Sequence, residues 1–214
     1  MSDVLADLLA YGVEVLGDRG WAGALGKHKP DGDSWTLAGL DLALESVRDL
    51  AKAMGGPGAF RSKLGGVKLK QKAMKHGGLG RAHRVTLNAA GFDKWTIVHE
   101  LGHAWDAAHG WKLSRDMREK VGAGFRAPVL HRLFPKNAAY WYDPGQGPPP
   151  CGVDAAFNPL EDFAEAVAAY IYLQEAQQRA AARGWPYVDA VRGYTYVDFY
   201  ATPRGKFVAG LMAT

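Results

Sequence analysis

The chain has little cysteine and no long run of apolar residues. Cys151 is the only cysteine among 214 residues, so an intrachain disulfide and a cysteine-rich metal site are both excluded. No segment approaches the roughly 18 consecutive apolar residues of a membrane-spanning helix. The start, Met-Ser-Asp-Val-Leu-Ala-Asp, is acidic where a secretory signal would be basic. We therefore expect no membrane partner, and a protein that is either cytoplasmic or exported without a standard signal peptide.

Acidic residues are absent from one long stretch of the chain. No Asp or Glu occurs between Leu50 and Phe92, and the cations of this basic block are Lys52, Arg61, Lys63, Lys68, Lys70, Lys72, Lys75, Arg81 and Arg84. Such a block can attract nucleic acid or another acidic partner. The cations are not interleaved with aromatic residues as a base-stacking surface requires. A solvated surface is therefore the favoured interpretation, and nucleic acid is the less favoured partner.

The remaining composition is that of an ordinary globular protein. Hydrophobic residues make up 48% of the chain and charged residues 22%, which is enough for a substantial core. We expect a single domain over residues 1–214. Apolar residues recur at helical spacing in residues 1–16, which Gly17 closes, and again in residues 37–54. Residues 1–54 are therefore predicted to form an N-terminal helical part.

The expected catalytic core covers residues 84–182 and follows a segment rich in glycine and lysine. That segment, residues 55–80, predicts a flap or ribbon with a short strand at residues 67–70. Polar and apolar residues alternate from Arg84 to Asn88, which predicts a strand. Residues 122–157 hold most of the prolines and predict a long connection of the kind that often walls a cleft.

The chain carries a paired-histidine motif, His99-Glu100-Leu101-Gly102-His103. It lies in a predicted helix that is capped near Asp93 and stopped by Gly110. Residues four apart share one helix face, so both imidazoles can converge on one zinc ion. Glu100 lies about 100° further round the helix and is the predicted general base, taking a proton from a zinc-bound water. A chance pair of core or surface histidines is the alternative.

A catalytic zinc takes three protein ligands and leaves one position open. The best third ligand is Glu161, near the start of a long helix predicted from Pro159 to Ala182. Glu165 shares its face, so one of the two glutamates can bind the metal while the other accepts a hydrogen bond from a ligand histidine. The alternative is that both glutamates simply face solvent. Asp162 is expected to be either a solvated residue or a first-turn residue that complements the helix dipole. The tail, residues 184–214, is expected to be irregular or β-like.

Two local motifs carry a family resemblance. His-Glu-Leu-Gly-His-Ala-Trp-Asp at 99–106 and Glu-Asp-Phe-Ala-Glu-Ala at 161–166 resemble the gluzincin zinc peptidases, nearest to the catalytic domain of the anthrax lethal factor family. The resemblance implies an α+β, mainly helical zincin-like domain with a small mixed β-sheet, an HExxH active-site helix and one Zn²⁺ per chain. By position, it implies that His99, His103 and Glu161 are the metal ligands. It also implies that Glu100 is the general base and that Glu165 supports the ligands.

The resemblance also concerns the substrate. It implies that strand 84–88, with Val85 and Leu87, offers its edge to an extended peptide or protein substrate. The family places an oxyanion-stabilising tyrosine several residues before the ligand glutamate, where this chain has Val153-Asp154-Ala155. The residues that could replace that tyrosine are Tyr140, Tyr142, Tyr194, Tyr196 and His131.

Two rival metal arrangements use other residues. His109 follows His99 at the spacing of the third histidine of metzincins, but Asp106 replaces the glycine at which metzincins turn. Asp106 is instead expected to hydrogen-bond near the site or to cap a neighbouring element. Cys151, within Pro-Pro-Pro-Cys-Gly, resembles the inhibitory cysteine switch of matrix metalloprotease proregions, although a lone cysteine is more often a small buried apolar residue.

The sequence therefore predicts a zinc-dependent endopeptidase that acts through Glu100. A second hypothesis is a catalytically weak or inactive zincin-fold module that binds a peptide or nucleic acid. A third is a DNA-associated metalloprotease that is tethered by the basic block. The presence of Glu100 favours an enzyme over an inactive module, and steep salt dependence of DNA binding would favour the third hypothesis. The oligomeric state is left open.

Overall fold

The computed structural model describes residues 2–17, 35–121, 123–126, 139–142, 158–182 and 196–214. In this part of the chain the fold is α+β and mostly helical, with a small four-stranded mixed sheet. The expected fold class is confirmed at that level. The chain divides into two compact units, Met1–Gly110 and Trp111–Thr214. No helix of the described residues is long and apolar enough to cross a membrane.

The first unit combines helices with the four-stranded sheet. In chain order, its elements are α1 (Ser2–Ala10), β1 (Val13–Leu16), α2 (Leu37–Ala53), α3 (Pro57–Leu64), β2 (Val67–Lys72), β3 (Gly78–Arg81), β4 (Arg84–Asn88) and α4 (Lys94–Ala108). The strands lie in the order β1-β2-β4-β3. β1, β2 and β4 are parallel, whereas β3 runs antiparallel to β4 at one edge.

The two faces of this sheet differ in polarity. Along β2, Val67 and Leu69 are buried while the alternating lysines are exposed, as the period of two along a strand requires. Val85 and Leu87 of β4 are buried on the same side. Both β3 and β4 contact α4, which in turn contacts α2. One face of the sheet therefore belongs to the core of this unit, and the other is basic and exposed to solvent.

Several predicted elements of this unit are confirmed. α2 begins at Leu37, where the Thr36 side chain accepts a hydrogen bond from the Gly39 amide, and it ends one residue before the predicted boundary. β4 has the predicted bounds Arg84–Asn88, and β2 contains the predicted short strand. These elements carry strong local signals, namely a capping residue, an apolar stripe and strict alternation.

Two predictions in this unit are wrong. The first helix ends at Ala10 rather than Leu16, because Gly12 turns the chain at φ 77° and Val13–Leu16 becomes a strand parallel to β2. Pairing with a distant strand outweighs the helical spacing of the local sequence. Part of the predicted flap is helix α3, which has Pro57 in its first turn and ends at Gly65 in the left-handed conformation. That pattern of proline and glycine is typical of helix ends.

The second unit is mainly helical. Its elements are α5 (Lys112–Val121), the antiparallel pair β5 (Ala123–Arg126) and β6 (Ala139–Tyr142), α6 (Pro159–Ile171), α7 (Leu173–Ala182), a 3₁₀ helix (Tyr196–Ala201) and α8 (Pro203–Ala213). α6 contacts α5 and α8. β5 and β6 lie within the predicted long connection, and the rest of that connection is outside the described residues.

Two predictions for this unit also need correction. The helix predicted from Pro159 to Ala182 is interrupted at Tyr172, which adopts φ −121° and ψ 58°. The end of the predicted β-like tail is helix α8, whose first turn contains Pro203 and whose cap, Thr202, accepts a hydrogen bond from the Gly205 amide. The helix signal of threonine followed by proline was present in the sequence. The aromatic residues around it had favoured a strand.

Candidate metal centre

The histidine motif lies in the middle of α4, a helix with well-defined ends. Asp93 caps it, since Oδ1 accepts a hydrogen bond of 2.7 Å from the Thr96 amide, and Gly110 follows the last turn at φ 64°. Both ends agree with the sequence prediction. Most residues of α4 from Trp95 to Asp106 are buried. The motif is therefore held on a rigid core helix, and Asp106 lies on that helix fully buried.

His99 and His103 approach each other closely. Their Nε2 atoms are 3.1 Å apart, and their rings are nearly perpendicular, at 84°. A tetrahedral zinc ion bonds imidazole nitrogen at about 2.0–2.1 Å, which would separate two such nitrogens by about 3.3 Å. The two imidazoles therefore lie close to the spacing of two ligands of one ion, as the i, i+4 relation predicted.

Glu100 is buried beside strand β3. Only 6% of the residue is exposed. A Cβ atom added at Gly78 would lie 2.5 Å from the Glu100 Cγ, and one added at Gly80 would lie 2.2 Å from the Glu100 carbonyl oxygen and 2.5 Å from the His103 Cβ. A side chain at Gly80 would therefore clash with helix backbone, whereas one at Gly78 would have to displace the Glu100 side chain. This close approach of β3 to α4 was not predicted from the sequence, although alternating glycines in a strand often mark close approach of another backbone.

Glu161 and Glu165 belong to α6, a helix with a well-defined start. The Asn158 side chain caps this helix, because its Oδ1 accepts hydrogen bonds from the amides of Leu160 and Glu161 at 2.9 and 3.3 Å. Glu161 and Glu165 are half-buried, whereas the residues between them are fully buried. These exposures agree with the prediction that the two glutamates share one face of the helix.

Asp162 differs from its predicted role as a solvated residue. It is completely buried and forms a two-point ion pair with Arg204 of α8, which is 1% exposed. The distances are 2.7 Å from Nε to Oδ1 and 3.1 Å from Nη2 to Oδ2. Asp162 does lie in the first turn of α6, but the prediction of a solvated side chain was wrong because α8, which supplies the arginine, was not recognised as a helix. The pair ties the first turn of α6 to α8.

The three predicted ligands form one group. One donor atom each from His99, His103 and Glu161 lies within 4.8 Å of the other two. This group of two imidazoles and a carboxylate could hold a metal ion, and it is the only such cluster of three or more His, Cys, Asp or Glu residues among the described residues. The donor set agrees with the choice of ligands made from the sequence.

His109 is not a member of this group. It lies at the C-terminal end of α4, where its Nδ1 donates a hydrogen bond of 2.9 Å to the Trp105 carbonyl oxygen. The helix continues through Asp106 without the turn that a metzincin requires at that point. The metzincin arrangement is therefore not supported. Cys151, the residue proposed as an inhibitory switch, lies outside the described residues.

The predicted substrate-binding strand is wrong. β4 pairs with β2 on one side and with β3 on the other, so it has no open edge for a peptide. Val85 and Leu87 are 0% exposed and belong to the core. Among the described strands, the one at the edge beside α4 is β3.

The side chains proposed to replace the family tyrosine lie outside the described part of the chain: Tyr140, Tyr142, Tyr194, Tyr196 and His131.

No model of a known protein family matches the chain, and no curated protein or solved structure is significantly similar to it. Any functional conclusion therefore depends on the residues of the two motifs and on their geometry.

Proposed function

We propose that the protein is a zinc-dependent endopeptidase of gluzincin type. The observation that carries this proposal is the grouping of the donor atoms of His99, His103 and Glu161 within 4.8 Å of one another. Two imidazoles and one carboxylate are the ligands of a well-known class of catalytic zinc sites, in which the fourth position is open. The Nε2 separation of 3.1 Å supports a single ion shared by the two histidines.

Bound zinc would polarise the scissile carbonyl group and lower the pKa of water. Glu100 follows His99 directly on α4, and its burial favours proton transfer in a site shielded from bulk solvent. Glu100 would take the proton of the attacking water and deliver it to the leaving amine. Glu165, one turn after Glu161, would accept a hydrogen bond from the free ring nitrogen of a ligand histidine and so orient the imidazole.

Strand β3 supports a peptide as the substrate. It is an edge strand whose Gly78 and Gly80 lie directly against the part of α4 that holds Glu100 and His103. The outer side of an edge strand presents amide and carbonyl groups that can pair with an extended peptide. A peptide added there would run past the catalytic face of α4. We therefore propose that the peptide pairs with the edge of β3 and not with β4.

The metal assignment is tested by the zinc content of the purified chain. Elemental analysis should find about one zinc per chain in the wild type, and strongly reduced zinc in His99→Ala and Glu161→Ala, because each removes a ligand. His109→Ala is the matched control and should retain zinc, since its imidazole bonds to the helix backbone. Loss of zinc in the His109 variant would contradict the proposal, as would a wild type that binds no zinc at all.

Cleavage of a mixed peptide library tests the enzymatic part separately. Glu100→Gln should retain zinc while cleavage falls by about 10²–10⁴-fold, because the amide cannot accept the proton. If the zinc-loaded wild type cleaves no peptide, or if Glu100→Gln cleaves as fast as the wild type, the endopeptidase proposal is wrong. A zinc-loaded chain that binds peptides without cleaving them would favour the inactive binding module.

A further inference from the structure

The structure places much of the basic block on one surface. Lys68, Lys70 and Lys72 alternate along β2 on its exposed side. Arg84 of β4 lies beside Lys68, and Arg81 of β3 lies beside Arg84. Neighbouring residues in register point to the same face of a sheet. These five cations therefore share the solvent face opposite α4, which we name the basic sheet face.

The basic sheet face contains a groove of about 340 Å³. Its lining includes the side chains of Lys70, Lys72, Arg81 and Arg84 together with the hydroxyl-bearing Thr86. Four cations and one hydroxyl converging on a concave surface provide several hydrogen-bond donors for the oxygens of an anion. Both arginines can also bind a phosphate group in a two-point manner.

Grouping these positive charges on one face costs electrostatic free energy that widely separated charges would not cost. Like charges on directly neighbouring strands repel each other, and Lys68, Arg84 and Arg81 form a row of three across β2, β4 and β3. The acidic residue placed in register on this face by β1 is Glu14, beside Lys68 at one end. No acidic residue occurs in β2, β3 or β4. A bound polyanion would offset the repulsion.

The chemistry of the surface favours a double-stranded nucleic acid. Cations two residues apart on β2 are spaced by about 6.6 Å, and the phosphates of a duplex present about one charge per 1.7 Å of axis. The exposed residues of β2, β3 and β4 include no aromatic side chain on which unpaired bases could stack. Contacts to the sugar–phosphate backbone alone are sequence-independent.

We propose that the basic sheet face binds the phosphate backbone of a nucleic acid duplex without sequence preference. This proposal goes beyond peptidase activity and does not depend on the metal centre. Its surface is formed by β2, β3 and β4 on the face opposite α4. The sequence alone favoured a solvated surface, because the spacing of the cations along the chain does not reveal that they meet in one groove.

Binding of a fluorescent DNA duplex of random sequence to the full-length protein tests the proposal, with the dissociation constant measured at several salt concentrations. Lys70→Ala combined with Lys72→Ala should weaken binding by roughly tenfold to a hundredfold at about 0.1 M salt and reduce the slope of log K against log [salt] by about 2. The matched control is Lys52→Ala combined with Lys206→Ala, which removes the same charge from exposed positions on α2 and α8. The control should bind nearly as the wild type does.

Each alternative outcome would overturn the proposal. Equal weakening in both double variants would mean that only net charge matters. If the Lys70 and Lys72 double variant binds as tightly as the wild type, or if the wild type does not bind, the duplex does not bind to this face. Binding to phosphatidylserine vesicles or to polyglutamate, without binding to the duplex, would assign the face to a membrane or to an acidic protein instead.

Discussion

The ion pair between Asp162 and Arg204 is the residue-scale feature that departs most from an ordinary surface charge. Both side chains are almost completely buried, and they meet through two hydrogen bonds. Buried ion pairs of this kind add little to the free energy of unfolding compared with a well-packed apolar pair. Removing one partner, however, leaves an unpaired charge buried in the core. Because Asp162 follows the proposed ligand Glu161, the pair also anchors the helix turn that presents the ligand.

We predict that Arg204→Met lowers the free energy of unfolding by about 3–5 kcal/mol, because the Asp162 carboxylate remains buried without its partner. Combining Arg204→Met with Asp162→Leu should recover much of the lost stability, because the unpaired buried carboxylate is then removed as well. Urea unfolding of the wild type and the two variants measures both effects.

The matched control is the pair Arg48–Asp7, which is about half exposed on both sides. Arg48→Met should cost no more than about 1 kcal/mol, because water already solvates both charges. A similar loss in the two methionine variants would contradict the distinction between the buried and the exposed pair.

At the scale of elements, strand β3 packs closely against helix α4 because Gly78 and Gly80 have no side chains. The two positions differ in what a methyl group would meet. At Gly80 it would meet helix backbone, whereas at Gly78 it would meet the Glu100 side chain, which can move. Gly78 therefore offers a way to displace the proposed base without removing it.

We predict that Gly78→Ala lowers peptide cleavage by about a hundredfold, because a displacement of about 1 Å is enough to misplace a catalytic group. Zinc content should stay at the wild-type level, since the three atoms nearest to the added Cβ all belong to the Glu100 side chain, which is not a proposed ligand. Gly58→Ala is the control, because nothing lies within 4 Å of a Cβ atom there, and it should cleave normally. Wild-type cleavage by Gly78→Ala would argue against Glu100 as the base.

The ion pair between α2 and α4 gives a pH dependence. Lys94 lies 2.7 Å from Glu45, and its hydrogen bond and charge lower the pKa of the Glu45 carboxyl group. The stabilisation is therefore present above the ordinary pKa of glutamate and is lost as the pH falls through the lowered value. The same hydrogen bond raises the pKa of Lys94, so its stabilisation is present below the ordinary pKa of lysine and is lost in strong alkali.

We predict that Glu45→Gln is slightly less stable than the wild type at neutral pH, and that this difference shrinks as the pH falls below the range in which glutamate titrates. The effect is small because the side chains are exposed to solvent and screened by salt. Urea midpoints measured across the acidic range provide the test. A difference that grows on acidification would have the wrong sign for this pair.

At the scale of the whole molecule, the sequence could predict elements that are decided locally. α2, α4 and β4 carry caps, an apolar stripe or strict alternation. The pair His99 and His103 follows from its spacing on one helix, and Glu161 was the best carboxylate candidate at the start of another. The elements decided by distant partners were missed. β1 forms through pairing with β2, and the edge position of β3 depends on strand order, which no local pattern contains.

Binding of a metal ion should raise the thermal stability of the folded chain. A ligand that binds only the folded state stabilises it by about 2.7 kcal/mol when its free concentration is about 100 times the dissociation constant. For a chain of this size, that corresponds to a rise of about 5–10 °C in the thermal midpoint. We predict such a rise on zinc loading and its reversal by a chelator, measured by circular dichroism. The rise should persist in Glu100→Gln, which retains the ligands, and should be largely lost in Glu161→Ala. A Glu161→Ala protein with the full rise would mean that the carboxylate of α6 does not bind the metal, and the histidine pair would then need a different third ligand.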